Sequence, residues 1–184
     1  AKAENIIWAL GSAATLGARS VVEGSIMAGT AITFGTGSSV HGCALAQSAI
    51  TFESNGSTQA LEYVESGTTD SSGTSCGQSP FVPESTCVES VSHGICGNFA
   101  VHARTTVTFD GVRSTINGGD VGVSPGTSIT GNVNIGDGKT LTGSASQDFA
   151  TSSLNAYIAA MKTRSDAVLM EIEMGGVTFT PGTY

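Results

Sequence analysis

Charge is what this chain of 184 residues has least of: Asp, Glu, Lys and Arg make up 12% of it, about half the roughly 25% of an ordinary globular domain. Between Arg19 and Arg104 there is no Lys or Arg at all, while Glu23, Glu53, Glu62, Glu65, Asp70, Glu84 and Glu89 all fall there, and the net charge is −8. Nucleic acids and anionic lipid surfaces are held by clustered cations, so neither is expected as a partner. No run approaches the ~18 apolar residues of a membrane span, which excludes a spanning helix. No leader pattern opens the sequence, which therefore reads as that of a mature or excised chain. Glu, Lys, Arg and Leu are too sparse for a coiled coil or a helical bundle. The three histidines, His41, His93 and His102, lack metal-ligand spacing, and neither a metal nor a cofactor is expected. The cysteines are Cys43, Cys76, Cys87 and Cys96, and the last three are separated by ten and then eight residues. That spacing matches no zinc pattern, whereas disulfides in a secreted protein suit it; all three pairings of four cysteines remain open.

What the chain has in plenty is small and hydroxylated residues: 25 Gly, 24 Ser and 23 Thr. They are ordered by a repeat. Gly11-Ser-Ala-Ala-Thr-Leu16, Gly29-Thr-Ala-Ile-Thr-Phe34 and Gln47-Ser-Ala-Ile-Thr-Phe52 superpose at a period of 18 residues, and the flanks keep register as Trp8/Ile26/Ala44, Leu10/Ala28/Ala46, Val22/Val40 and Gly24/Gly42. Breaks of small residues divide each repeat into short strand-like pieces. One winding of a three-sided β-solenoid needs about this much chain, so residues 1–54 are expected to stack as solenoid windings.

Strand alternation sets the phase. Leu16, Phe34 and Phe52 should point inward, together with Ala14, Ile32 and Ile50. Ala13, Ala31 and Ala49 then face outward in one ladder and Thr15, Thr33 and Thr51 in another, with Ser12, Thr30 and Ser48 at the strand entrances. The expected result is a flat face without charges.

From Asn55 to about residue 95 the pattern stops. This stretch contains Pro80, Pro83, Cys76 and Cys87, and reads as a cross-linked linker with a short helix at Thr58–Glu65. Strand-like pieces resume over residues 96–184 as Asn98–Phe109, Ser114–Val123, Thr127–Ile135 and Lys139–Thr142. A helix is expected at about 146–166, with capping-box spacing between Ser144 and Gln147 and an apolar stripe of Ala150, Leu154, Tyr157, Ile158 and Met161 that would pack on the side of the solenoid.

Rival chemistries are weakly supported. Asp110, Asp120, Asp137 and Asp148 are the carboxylates a solenoid glycosidase or lyase would need, but most sit beside Gly in turn-like words, where Asp serves the backbone. A carbohydrate-binding or adhesin module is the alternative, yet such sites display aromatic platforms, and Trp8, the only Trp, falls where its repeat mates are Ile26 and Ala44. His41 stacks over Glu23 in the repeat and should form an exposed cross-strand pair.

Longer words carry a resemblance. Gly97-Asn-Phe-Ala-Val-His-Ala-Arg-Thr105, Gly119-Asp-Val-Gly-Val-Ser-Pro-Gly126 with Ile129-Thr130-Gly131, and Gly176-Val-Thr-Phe-Thr-Pro-Gly-Thr-Tyr184 resemble the opening half of the microbial ice-binding proteins, most closely the algal branch. Asn5-Ile-Ile-Trp-Ala-Leu-Gly-Ser-Ala-Ala-Thr-Leu-Gly17 and Gly42-Cys-Ala-Leu-Ala-Gln-Ser-Ala-Ile-Thr51 resemble the closing half. The resemblance implies a mainly β fold, a right-handed β-solenoid with one α-helix alongside, and a secreted, non-enzymatic protein whose partners are the ice surface and its ordered water. It implies Thr-Ala/Gly-x-Thr words on one flat face, which fall on Ser12, Ala13 and Thr15, on Thr30, Ala31 and Thr33, on Ser48, Ala49 and Thr51, and less well on Thr127 and Thr130. The halves are in reversed order here, and the strands that join them in the family are absent. That absence implies a gap in the stack, to be covered by a swapped segment or a tandem domain.

Overall fold

The computed structural model describes residue 3 and residues 6–54, 56–59, 96–136 and 138–160. Cys76, Cys87, Asp137, Met161 and the words at 176–184 lie outside them.

The 18-residue repeat becomes three short parallel strands per winding. The first winding holds β1 (Ile7–Leu10), β2 (Ala14–Leu16) and β3 (Val21–Glu23); the second holds β4 (Ser25–Ala28), β5 (Ile32–Phe34) and β6 (Ser39–His41); the third holds β7 (Ala44–Ala46), β8 (Ala49–Phe52) and β9 (Ser57–Gln59). The fourth is β10 (Phe99–Ala103) with the long β11 (Thr106–Asn117), and the fifth is β12 (Asp120–Val123) with β13 (Ser128–Ile135). A last strand, β14 (Thr140–Thr142), adds to β12. Among the described residues the fold is a mainly β solenoid of about five windings with a single short α-helix, α1 (Gln147–Ala160).

The register is the one the repeat dictates. One sheet runs β1-β4-β7-β10-β12-β14; the other runs β2-β5-β8-β11-β9-β6-β3, with β13 added on β11. Trp8 pairs with Ile26 and Ile26 with Ala44; Leu16 pairs with Phe34 and Phe34 with Phe52; Val22 pairs with Val40. Identical offsets stack like on like, so each inward row becomes a column of apolar side chains. In one of them Phe34 and Phe52 stack at 4.1 Å between ring centroids and 18° between planes, and Phe52 and Phe109 at 5.0 Å and 21°.

The seam between the two halves carries no gap. β8 pairs directly with β11 (Ile50 with Val107, Phe52 with Phe109), β7 with β10 and β9 with β11. Val107 and Phe109 continue the inward columns of Ile50 and Phe52 across this seam; the gap expected from the missing family strands falls instead between the words at 176–184 and the first winding, outside the described residues. A disulfide between Cys43 and Cys96, with Cα atoms 5.7 Å apart, ties the start of β7 to the approach of β10. Closing a loop of 53 residues restricts the unfolded chain by about 4 kcal/mol on the loop-entropy account.

Three local readings are corrected. Thr58 and Gln59 belong to β9 and not to a helix, because Thr58 sits between Val40 and Ile116 and completes the third winding. β10 ends before Arg104, whose N–H, with that of Thr105, bonds the Ser48 carbonyl at 3.0 and 2.9 Å and turns the corner. The strand then runs unbroken past Gly111, whose positive φ of 77° lets it bend. Ser144 does not cap α1: it lies in a 3-10 turn, Gly143–Ser146, and Gln147 uses its side-chain oxygen to accept from Ser124 Oγ at 2.8 Å.

The helix lies against the first sheet, as its apolar stripe requires. Phe149 and Tyr157, together with Cys96, pack on Met27, Cys43 and Leu45, and Tyr157 donates its hydroxyl to the Leu10 carbonyl at 3.2 Å. The buried side of α1 is Ala150 and Ser153 with half-buried Leu154, whereas Ile158 is 50% exposed. Ser153, which the stripe did not include, donates its hydroxyl to the Ala150 carbonyl, which lets a serine sit on the buried side. Phe52 is the fully buried middle of the phenyl column, so Phe52→Ala should cost about 3–5 kcal/mol of stability, to be read as a lower denaturant midpoint with an unchanged slope.

Candidate functional site

The outward side of β2, β5, β8 and the first halves of β11 and β13 gathers the sequence-predicted residues. Thr15 pairs with Thr33, Thr33 with Thr51, Thr51 with Thr108 and Thr108 with Thr130. Five threonines thus form one ladder with rungs about 4.7–4.9 Å apart, the interstrand spacing. Two residues earlier, Ala49 pairs with Thr106 and Thr106 with Ser128, and Ala13 and Ala31 precede Ala49 in the same row. The entrance row continues Ser12, Thr30 and Ser48 with Thr105 and Thr127: Thr30 N bonds Ser12 O, Ser48 N bonds Thr30 O, and Thr105 N bonds Ser48 O.

Between the outward rows the chain turns Ala14, Ile32, Ile50 and Val107 fully inward. That alternation leaves the threonines outward on a backbone fixed from beneath. Thr15 and Thr130 are exposed; Thr33, Thr51 and Thr108, each flanked on both sides, are half-buried. Ser12, Ala13, Thr30 and Thr127 are exposed, and Ala31, Ser48 and Ala49 half-buried. Thr130 Oγ1 donates to Thr108 Oγ1 at 3.5 Å, a contact between neighbouring rungs. The Ser12 hydroxyl is turned back, accepting from Ala13 N. No outward position of these rows is charged. Among the described residues, charged groups stand at the margins: Arg104 before the entrance row, and Glu53 and Asp110 just beyond the inward column. The Glu53 carboxylate is held along the corner, accepting from Thr36 N at 3.2 Å and Thr36 Oγ1 at 3.3 Å.

Thr105, Thr106 and Thr108 were not legible as members of this face. Thr51 and Thr108 are 57 positions apart and Thr108 and Thr130 are 22 apart, so neither interval is a multiple of the 18-residue period. Thr106 also stands where the earlier windings have Ala. The usable signal is parity: Thr106-Val107-Thr108-Phe109 alternates as Ala49-Ile50-Thr51-Phe52 does.

Elsewhere the surface offers less chemistry. Among the described residues no three His, Cys, Asp or Glu side chains come together as a metal site, and no helix is long and apolar enough to cross a membrane. Asp120 Oδ1 accepts from Lys139 N at 3.0 Å, the turn role expected of it. His41 Nδ1 and Glu23 Oε1 form the exposed cross-strand pair at 2.8 Å, a contact worth at most about 1 kcal/mol. Trp8 is half-buried against the core, and its indole N–H donates to the Glu23 carbonyl at 2.8 Å.

The three windings that carry the cleanest repeat also carry a family signature. Residues 1–58 match the ice-binding-like family. The match takes in Ser12–Thr15, Thr30–Thr33 and Ser48–Thr51, three of the five words of the threonine face. The ice-binding-like family is not one of enzymes. No curated protein and no solved structure matches the chain.

Among the described residues no protein partner engages the Thr51 hydroxyl, so Thr51→Val, of similar shape and strand propensity, should leave unfolding free energy within about 1 kcal/mol of the parent. Chemical denaturation monitored by circular dichroism checks this; a much larger loss would show the hydroxyl to be structural.

Proposed function

We propose that this is a secreted, non-enzymatic ice-binding protein that adsorbs to ice through the Thr/Ala/Ser face and so produces thermal hysteresis and inhibits recrystallisation. The observation that carries the reading is the five-rung ladder of Thr15, Thr33, Thr51, Thr108 and Thr130 on an uncharged surface. The ice-binding-like match of residues 1–58 supports it independently, and the disulfide is compatible with an extracellular location.

The physics is one of matching lattices. Ice presents oxygens at regular intervals, and a stack of windings presents hydroxyls and methyls at regular intervals of similar size. Methyl groups order the adjacent water, and hydroxyls tie that ordered layer to the protein. A carboxylate or ammonium group would hold its water in a geometry foreign to ice, so the lack of charge on the face is a requirement. Each contact is weak, but a rigid face makes all of them at once. Ice then advances only as curved fronts between adsorbed molecules, and curvature lowers the local freezing point.

The same reading takes the three strands of each winding as three sides of a right-handed solenoid, the hand that parallel strand connections almost always adopt. The first winding leaves Ile7 49% and Val21 61% exposed; a tandem domain or swapped segment would complete the stack there. No cofactor, nucleic acid or membrane enters the mechanism.

The test is Thr51→Tyr at the centre of the ladder. A phenol ring there breaks the plane without touching the core, so thermal hysteresis should fall severalfold while the circular dichroism spectrum stays that of the parent. Undiminished hysteresis in the folded variant would overturn the assignment of the face.

A further inference from the structure

Beneath α1, on the side of the first sheet opposite the core, one row crosses the strands: Ala9, Met27, Leu45, His102, Gly122 and Leu141 occupy neighbouring positions. All but His102 are apolar or lack a side chain. The imidazole is 1% exposed, and its Nε2 is buried without a hydrogen-bond partner. It is enclosed by rings, edge-on to Phe99 at 5.3 Å and to Phe149 of α1 at 5.0 Å, while Phe99 and Phe149 lie 4.4 Å apart. Gly122 makes the enclosure close: a Cβ there would lie 2.6 Å from His102 Cδ2. A leucine would serve packing in this row, as Leu45 does beside it.

We propose that His102 is an acid-sensitive latch: its protonation releases α1 from the sheet while the solenoid strands stay paired. A protonated imidazole needs water or an anionic partner for both ring nitrogens. The charged groups on the elements around it are Arg104, two positions along its own strand path, Asp120 at the start of β12, Asp148 in the first turn of α1, and none on β7. Arg104 opposes the added charge; Asp120 is engaged with Lys139 N, and Asp148 points to solvent. Water must come in instead, and the way in is through the helix. α1 rests on Phe149, Ala150, Ser153, Leu154 and Tyr157, whereas the strands are held by ladders on both sides and by a separate apolar core on their other face.

The sign follows from the neutral form being the one that fits. Burial, aided by Arg104, lowers the His102 pKa from 6.5 to about 4. Helix docking is therefore at full strength above pH 6.5 and weakens as pH falls towards 4, because the released state takes up the proton first. Between pH 7.5 and pH 5 the opening equilibrium should rise about 30-fold, the proton linkage of that shift.

Hydrogen exchange of the whole protein, corrected for intrinsic rates, reads this directly. Protection of the α1 amides should drop about 30-fold over that interval while protection in β5, β8 and β11 holds, and in His102→Leu the α1 protection should be flat with pH. Equal pH slopes in parent and variant, or joint loss of helix and strand protection, would overturn the proposal. Should His102→Leu not fold, the imidazole titration of the parent by NMR decides alone: a midpoint near 6.5 contradicts the latch, and one well below 5 supports it.

Discussion

Everything in this structure depends on the register of parallel backbone pairing. Because the strands pair at a constant offset of 18 residues through the first three windings, each sequence position is repeated in space one strand spacing away. Inward positions become columns, such as the phenyl stack of Phe34, Phe52 and Phe109. Outward positions become rows, such as the five threonines. One constraint thus produces both the core and the face, and a slip by a single residue would exchange them.

The two sides of the first sheet divide other duties. Its inner side contributes Ile26, Ala28, Ala44, Ala46, Val101 and Val121 to the core, and its outer side is covered by α1. The threonine face lies on different strands, and among the described residues its Thr15 and Thr130 ends are exposed. The helix therefore shields the apolar outer row without competing for the surface proposed to meet ice, and the buried imidazole of His102 sits in the shielded layer and not in the threonine rows.

The first three windings were legible in the sequence almost residue by residue. Repeat alignment plus strand parity yields the pairings Trp8–Ile26, Thr15–Thr33, Phe34–Phe52 and Glu23–His41, because a solenoid converts sequence period into spatial neighbourhood. Legibility failed where the period failed. Thr106 and Thr108 join the face across a 57-residue interval, and their membership is decided by Val107 and Phe109 continuing the core columns, which is a packing fact and not a local one. The two halves, reversed in order, meet directly because Val107 and Phe109 of β11 complement Ile50 and Phe52 of β8. Cysteine spacing left three pairings open, and the approach of β7 and β10 brings Cys43 to Cys96. Helix periodicity anticipated α1 over Gln147–Ala160 but not its exact buried side, since Ser153 satisfies its hydroxyl within the helix and Ile158 turns outward.

The central claim is that a planar, uncharged grid of stacked windings adsorbs to frozen water, and its most direct test is partitioning. A single ice crystal is grown slowly in a dilute solution of the protein, and the protein content of the ice is compared with that of the remaining liquid. The account predicts enrichment in the ice together with faceted growth; a protein pushed ahead of a smooth, unfaceted front into the liquid, as an ordinary solute is, would contradict it.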